Sequence, residues 1–186
     1  MGKIGIIETS HDKRLRDIDL QGNPGALAFE EGGSRVFIGA VNDERILVVD
    51  RVYSQQVASW TTGDNGAAAA LAPDEEAGLL LAAFRQPAGL GWFDLKDGRL
   101  RGRIDACAEP GNLIVDSGRH RVYLTCGEGR IEVFQRDPGG YAKAGAIATE
   151  PGATAALLLP TSGRLYLAVP ATIGRGAEIR IYAPGD

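Results

Sequence analysis

Five short segments carry acidic or amide side chains beside proline and glycine: Asn23-Pro24-Gly25, Asp64-Asn65-Gly66, Glu109-Pro110-Gly111, Cys126-Gly127-Glu128-Gly129 and Glu150-Pro151-Gly152. If the chain folds so that they converge, Asn23, Asp64, Asn65, Glu109, Glu128 and Glu150 form an acidic funnel. Such a funnel suits a cation or a polar ligand. Ca²⁺ is admissible because it accepts carboxylate and carbonyl oxygens, though no spacing here specifies it and no cofactor is expected. Turn chemistry explains the same residue types, since Asp, Asn, Pro and Gly occupy turns for conformational reasons. Arg85-Gln86-Pro87 is different, because a cation follows directly on an apolar run. Arg85, with Gln86, is the strongest single candidate for a functional role.

The remaining reactive side chains point to little chemistry. His11 and His120 are the only histidines, and both stand in turns without partners at metal-ligand spacing. No metal site is expected of them. Cys107 and Cys126 are the only cysteines, too few for a disulfide scaffold. Cys126 reads as a small core hydrophobe. A bridge to Cys107 needs close Cα atoms, which the spacing does not establish, and the unbridged form is the expectation. No histidine falls near enough in the pattern to make a Cys–His nucleophile. Cys126-Gly127-Glu128-Gly129 lacks the Lys-Ser/Thr of a phosphate loop and reads as a tight turn between strands.

The elements that must position these residues repeat. Val36-Phe37-Ile38, Leu79-Leu80-Leu81, Val122-Tyr123-Leu124 and Leu165-Tyr166-Leu167 begin 43 positions apart, each after a turn. A more polar run follows each: Ile46–Asp50, Gly89–Asp94, Ile131–Gln135 and Ile179–Tyr182. Two apolar strands followed by two amphipathic ones give a gradient from inside to outside. A period of about 40–45 residues with four strands is the signature of propeller blades. The expected fold is all-β, a propeller of about four four-stranded blades in one domain, 1–186. Its units are 1–21 (partial), 22–62, 63–107, 108–148 and 149–186 (partial). Ala67–Ala72 has helical propensity but occupies an inner-strand position, and is read as a strand where neighbours crowd close. Trp60 and Trp92 read as blade-to-blade packing.

The partial units suggest closure. Ile4–Glu8 matches a third strand and Arg14–Ile18 a fourth, while the last unit stops after its third. The count is 17 strands. An N-terminal strand could complete the last blade and close a four-bladed ring. Alternatively, two copies could exchange ends into one eight-bladed ring, making the chain half of a larger assembly. In either arrangement the loops before the first strand and between the second and third share one face. That face gathers the funnel residues with Arg85, Gln86, Asn42, Asp43, Glu44 and Arg175.

Arg121-Val122-Tyr123-Leu124-Thr125, Arg35-Val36-Phe37-Ile38-Gly39 and Arg164-Leu165-Tyr166-Leu167-Ala168 resemble the R-[VL]-Y-V-[TS]-N core of YVTN-type bacterial β-propeller repeats. Phe84–Ala88, Cys126–Gly129 and Pro151–Thr154 look like closing blades of that family. The resemblance spans essentially the whole chain. It implies the propeller fold and leaves the function open, because most members have no assigned role. Longer relatives carry an export signal.

Charge and composition narrow the partners. The net charge is −4 with Lys and Arg scattered, so no phosphate-tracking nucleic-acid surface is expected. No apolar run is long enough for a membrane span. The N-terminal 20 residues lack the apolar core of a signal peptide, so the chain as written is expected in the cytoplasm. The leading function is a non-enzymatic binding or scaffold module that presents one loop face to a protein or small polar ligand. The alternative is a propeller enzyme, such as a metal-dependent lactonase or a quinoprotein-like dehydrogenase.

Overall fold

The computed structural model of the protein describes residues 2–183; Met1 and residues 184–186, the ends of the expected domain, lie outside them. Among the described residues seventeen strands form five antiparallel sheets. A hairpin comes first, β1 (Gly2–Glu8) with β2 (Lys13–Leu20). Three four-stranded sheets follow in simple up-and-down order. They are β3 (Pro24–Phe29), β4 (Arg35–Ala40), β5 (Arg45–Asp50) and β6 (Gln55–Thr61); β7 (Ala68–Asp74), β8 (Leu79–Arg85), β9 (Ala88–Asp94) and β10 (Leu100–Ile104); and β11 (Pro110–Asp116), β12 (Arg121–Cys126), β13 (Arg130–Asp137) and β14 (Gly140–Ala148). The last sheet has three strands, β15 (Ala156–Leu159), β16 (Arg164–Val169) and β17 (Glu178–Tyr182). The alanine-rich segment is strand β7, as its place in the repeat requires.

Burial follows the two-residue period of a strand. On β12, Val122 and Leu124 join one apolar cluster while Tyr123 joins the next. On β8, Leu80, Ala82 and Phe84 face one neighbour and Leu81 and Ala83 the other. The second strands are therefore apolar throughout because both faces are covered. Among the described residues there are four apolar clusters, each between two successive sheets. First strands lie against first strands, β3 on β7 and β7 on β11. A core between radially stacked four-stranded sheets, with first strands innermost, is the packing of a β-propeller.

Two tryptophans lock neighbouring sheets. A Cβ at Gly98 (φ +72°) would stand 2.1 Å from the Trp60 ring, and one at Gly140 (φ +131°) 2.5 Å from Trp92. Each ring thus rests on the bare backbone of a hairpin in the next sheet, where only glycine leaves room. Near the axis Gly39 plays the same part, since a Cβ there would meet the Ala68 carbonyl oxygen at 2.5 Å.

Two expectations are corrected. Cys107 and Cys126 form a disulfide, with Cα atoms 6.0 Å apart. Pro110 pairs with Cys126 across β11–β12, so the connector after β10 must pass the end of β12 and brings Cys107 to it. Both cysteines are buried. The bridge closes a loop of sequence separation 19, for which chain entropy gives about 3 kcal/mol of stabilisation. Complete reduction is expected to lower the urea midpoint accordingly, with thiol titration as the control. An unchanged midpoint in protein shown to carry two free thiols would rule out a stabilising bridge.

The second correction concerns closure. The N-terminal hairpin does not complete the last sheet. Ile18 and Leu20 of β2 bury against Ile38, Ala40, Leu47 and Val49 of the adjacent sheet. Among the described residues β17 is hydrogen-bonded only to β16, and the first and last sheets share no apolar cluster. The array is an open arc. Among the described residues no helix is long and apolar enough to cross a membrane.

Candidate functional site

At the inner ends of the three four-stranded sheets lies a cavity of about 620 Å³. Its floor is small: Gly25 and Ala26 from β3, and Ala67, Ala68 and Ala69 at the start of β7. Its polar rim is Asn42, Arg85, Gln86 and Glu109. Asn42 adopts positive φ (56°) in the turn between β4 and β5. Arg85 is the last residue of β8 and pairs with Ala88 across a two-residue turn. The neighbouring turn presses close, for a Cβ on Gly66 would stand 2.6 Å from the Gln86 carbonyl oxygen.

Glu109 is delivered by the connector between β10 and β11, which is held at several points. The disulfide anchors Cys107. The Cys107 N–H donates to the buried Glu132 carboxylate at 3.1 Å and the Ala108 N–H to Glu128 at 2.9 Å. The Glu109 carbonyl accepts the Gly127 N–H at 2.8 Å. Glu132 in turn accepts from Arg130 Nε and Lys143 Nζ, both at 3.0 Å. The connector is thereby pinned to its neighbouring sheet.

Arg85 is the arginine that lines this cavity. Arg35 pairs with Glu30, Arg45 with Asp43, Arg101 with Asp94, Arg136 with Asp74 and Arg180 with Glu150. Among the described residues the Arg85 guanidinium has neither an ion-pair nor a hydrogen-bond partner, and it is exposed toward the cavity. Five N–H donors in a planar fork suit a carboxylate or phosphate.

The structure divides the eight sequence candidates. Arg85, Gln86 and Glu109 meet at the cavity. Asn23 lines an adjoining hollow that shares Val41 and Asn42 with it. The other four lie outside this cavity lining, and the side chains of three of them are engaged elsewhere. Asp64 and Asn65 form one turn of 3-10 helix, where buried Asn65 donates from Nδ2 to the Thr62 carbonyl at 2.7 Å. Glu128 caps the connector; burial opposes its charge, but backbone N–H donors and Arg130 outweigh this and hold its carboxyl below the usual range. Glu150 accepts from Arg175 at 2.6 Å and Arg180 at 2.9 Å, and the Arg180 bond, then the Arg175 bond, hold its carboxyl below the usual range. The alanine floor was missed as a site feature. Its signal was the run Ala67–Ala70 at an inner-strand position, where small side chains leave space.

Metal-ligating groups converge at one place among the described residues, Cys107, Cys126 and Glu128, within 4.8 Å of one another. The two sulfurs are joined to each other, which leaves no thiolate to bind an ion. Of the loop carboxylates, Glu128 and Glu150 are held by contacts of their own, and Glu109 lines the cavity.

The opposite face carries a structural network. Asp74, at the end of β7, is buried. It accepts from Arg136 at 2.9 and 3.1 Å, from the Tyr141 hydroxyl at 2.6 Å and from the Ala77 N–H at 3.1 Å. Arg136 also holds Glu76 at 2.7 Å, and His120 Nδ1 lies 3.2 Å from the same carboxylate. Burial, then the Asp74 hydrogen bond, pushes the Tyr141 phenol far above its usual range. His120 thus belongs to a bridge between two sheets.

No family model matches the chain, and no curated protein matches it. Solved structures do. The chain is similar to a crystal structure of the mitotic checkpoint complex, at 17% identity and a TM-score of 0.72 over 89% of this chain and 51% of that one. It is also similar to Kuenenia stuttgartiensis hydrazine synthase, at 12% identity and a TM-score of 0.73 over 89% of this chain and 55% of that one. Both likenesses are to β-propeller-type folds and establish the architecture alone. The chain spans about half the length of the structures it matches.

Proposed function

We propose that this propeller arc is a non-enzymatic binding module whose inner loop face takes a small polar ligand through an anionic group seated on Arg85. The observation that carries this reading is the unpaired Arg85 guanidinium, at the rim of a cavity whose other polar groups are Asn42, Gln86 and Glu109. Four side chains of mixed character over an alanine floor can orient a ligand by hydrogen bonds. They include no nucleophile with an adjacent base, which is what favours binding over covalent chemistry. The likeness to both a checkpoint assembly and an enzyme does not discriminate, because one fold hosts many functions.

The test is a thermal-shift panel of phosphate, citrate, succinate and L-glutamate, followed by calorimetric titration of whichever shifts the melting temperature. At least one anion is expected to bind. Arg85→Ala is expected to weaken it by about tenfold or more, the loss of a charge-assisted hydrogen bond, without lowering the melting temperature of the free protein. Equal affinity in the two proteins, or no anion bound at millimolar concentration, would reject the reading.

Two finer readings accompany it. Membership of the YVTN-type bacterial propellers rests on the three Arg-initiated second strands beginning at Arg35, Arg121 and Arg164. On compartment, a bridge between two buried cysteines favours maturation where disulfides persist, against the cytoplasmic expectation from the N-terminal residues.

A further inference from the structure

The cavity on the inner loop face carries charge of both signs, and neither charge is neutralised within it. Arg85 and Glu109 share its lining. Among the described residues the Glu109 carboxylate has no ion-pair or hydrogen-bond partner, Arg85 included. Cations on the adjoining strands are already held. Glu132 takes Arg130 and Lys143, both at 3.0 Å, and Arg103 is taken by the Ala88 carbonyl at 2.6 Å and Asp105 at 3.3 Å. The backbones that carry the two charges are fixed. β8 ends on Arg85, which pairs with Ala88 across the turn. Glu109 leaves a connector anchored by the disulfide at Cys107. Its side chain lies along the bare backbone of Gly127, where a Cβ would stand 2.4 Å from Glu109 Oε2. Every residue of the lining falls between Gly25 and Glu109, inside the arc rather than at its end faces.

We infer that this cavity takes a zwitterion, its carboxylate on Arg85 and its ammonium on Glu109. The assignment rests on the reading of Arg85 as the seat of an anionic group and adds the second charge to it. A ligand that is only an anion meets Glu109 in the same lining, where like charges repel. A ligand that also carries an ammonium turns that repulsion into a second charge-assisted hydrogen bond. Both protein charges are exposed when the cavity is empty, so neither has to give up a partner to receive the ligand. Asn42 and Gln86 supply neutral donors and acceptors over the alanine floor. The chemical class is therefore an amino carboxylate: a free amino acid, or a short peptide with both termini free. A volume of about 620 Å³ lies within the range of small-molecule sites.

Calorimetric titration at neutral pH with matched pairs decides the matter. The amino carboxylates are β-alanine, γ-aminobutyrate and ε-aminocaproate, which step the distance between the two charges. Their partners are propionate, butyrate and caproate, which lack the amine. At least one amino carboxylate is expected to bind about tenfold or more tighter than its partner. Glu109→Gln is expected to erase that difference by weakening the amino carboxylate, with the melting temperature of the free protein unchanged, since Glu109 is exposed. Arg85→Ala is expected to weaken both members of the pair. If the members of every pair bind equally well, and through Arg85, the zwitterion is overturned while the anion seat stands. A preference that survives Glu109→Gln also overturns it, because the ammonium then sits elsewhere. If nothing binds at millimolar concentration, both readings fall. The matched pairs are read on the unaltered chain, so that comparison holds even if a variant fails to fold.

Discussion

Val122→Asp is expected to leave no cooperatively folded protein. Val122 is fully buried in the middle of β12, where it pairs with Val115 on one side and Phe134 on the other. Its side chain lies in the cluster that also holds Leu81, Leu124 and Phe134. Its neighbours in that cluster are apolar, so the new side chain must either ionise in apolar surroundings or take up a proton. Either costs several kcal/mol, set against a total stability of about 5–15 kcal/mol for a domain of this kind. The loss strikes the junction between two sheets, so it also frees the apolar faces of both. Circular dichroism and a urea titration check it, with Val122→Ala as the control expected to lose about 2 kcal/mol through the cavity alone. A soluble Val122→Asp protein that melts as the unaltered one does would mean that β12 is not a core strand.

Asp74→Ala is expected to destabilise the fold by about 4 kcal/mol, the cost of leaving a buried charge partner and other donors unsatisfied. One carboxylate accepts from Arg136, Tyr141 and the Ala77 backbone. Its removal strands the Tyr141 hydroxyl, which is buried, and leaves Arg136 with Glu76 and the half-exposed His120. Tyr141→Phe is expected to cost only about 1 kcal/mol, because the donor leaves together with its desolvation penalty. The ratio of these two losses in urea unfolding is the informative quantity. If Asp74→Ala costs no more than Tyr141→Phe, the Arg136 pair contributes nothing and the two sheets are held by apolar packing alone.

The repeat was legible because its signals are local. A turn, an apolar run of fixed length and a more polar run recur at 43 residues, and each follows from alternation and turn chemistry within a dozen positions. The same locality explains why Ala67–Ala72 could be assigned to a strand against its helical propensity: its place in the period outweighed it. The disulfide was less legible. It depends on the pairing of Pro110 with Cys126, and a register shift between Pro110 and Leu113 breaks the even spacing from which that pairing would be counted.

The loop-face candidates divide for a related reason. Glu150 looked available because its partners, Arg175 and Arg180, lie 25 and 30 positions away. Glu128 looked available because the N–H it accepts from belongs to a connector 20 positions back. Arg85 stood out in the sequence as a cation directly after a buried run, and it is an arginine without an ion pair that lines the cavity.

By itself the sequence determined the strand order, the inside-to-outside gradient of each sheet and the stacking of about four blades, since these rest on periods of two and 43 residues. Only the tertiary structure decided that the N-terminal hairpin packs on the second sheet rather than closing the last, because Ile18 and Leu20 find their apolar partners there. It alone decided that two cysteines meet, and which carboxylates are consumed by ion pairs. Contacts of that kind are settled by the distance between side chains brought together from separate turns, a quantity that no local pattern encodes.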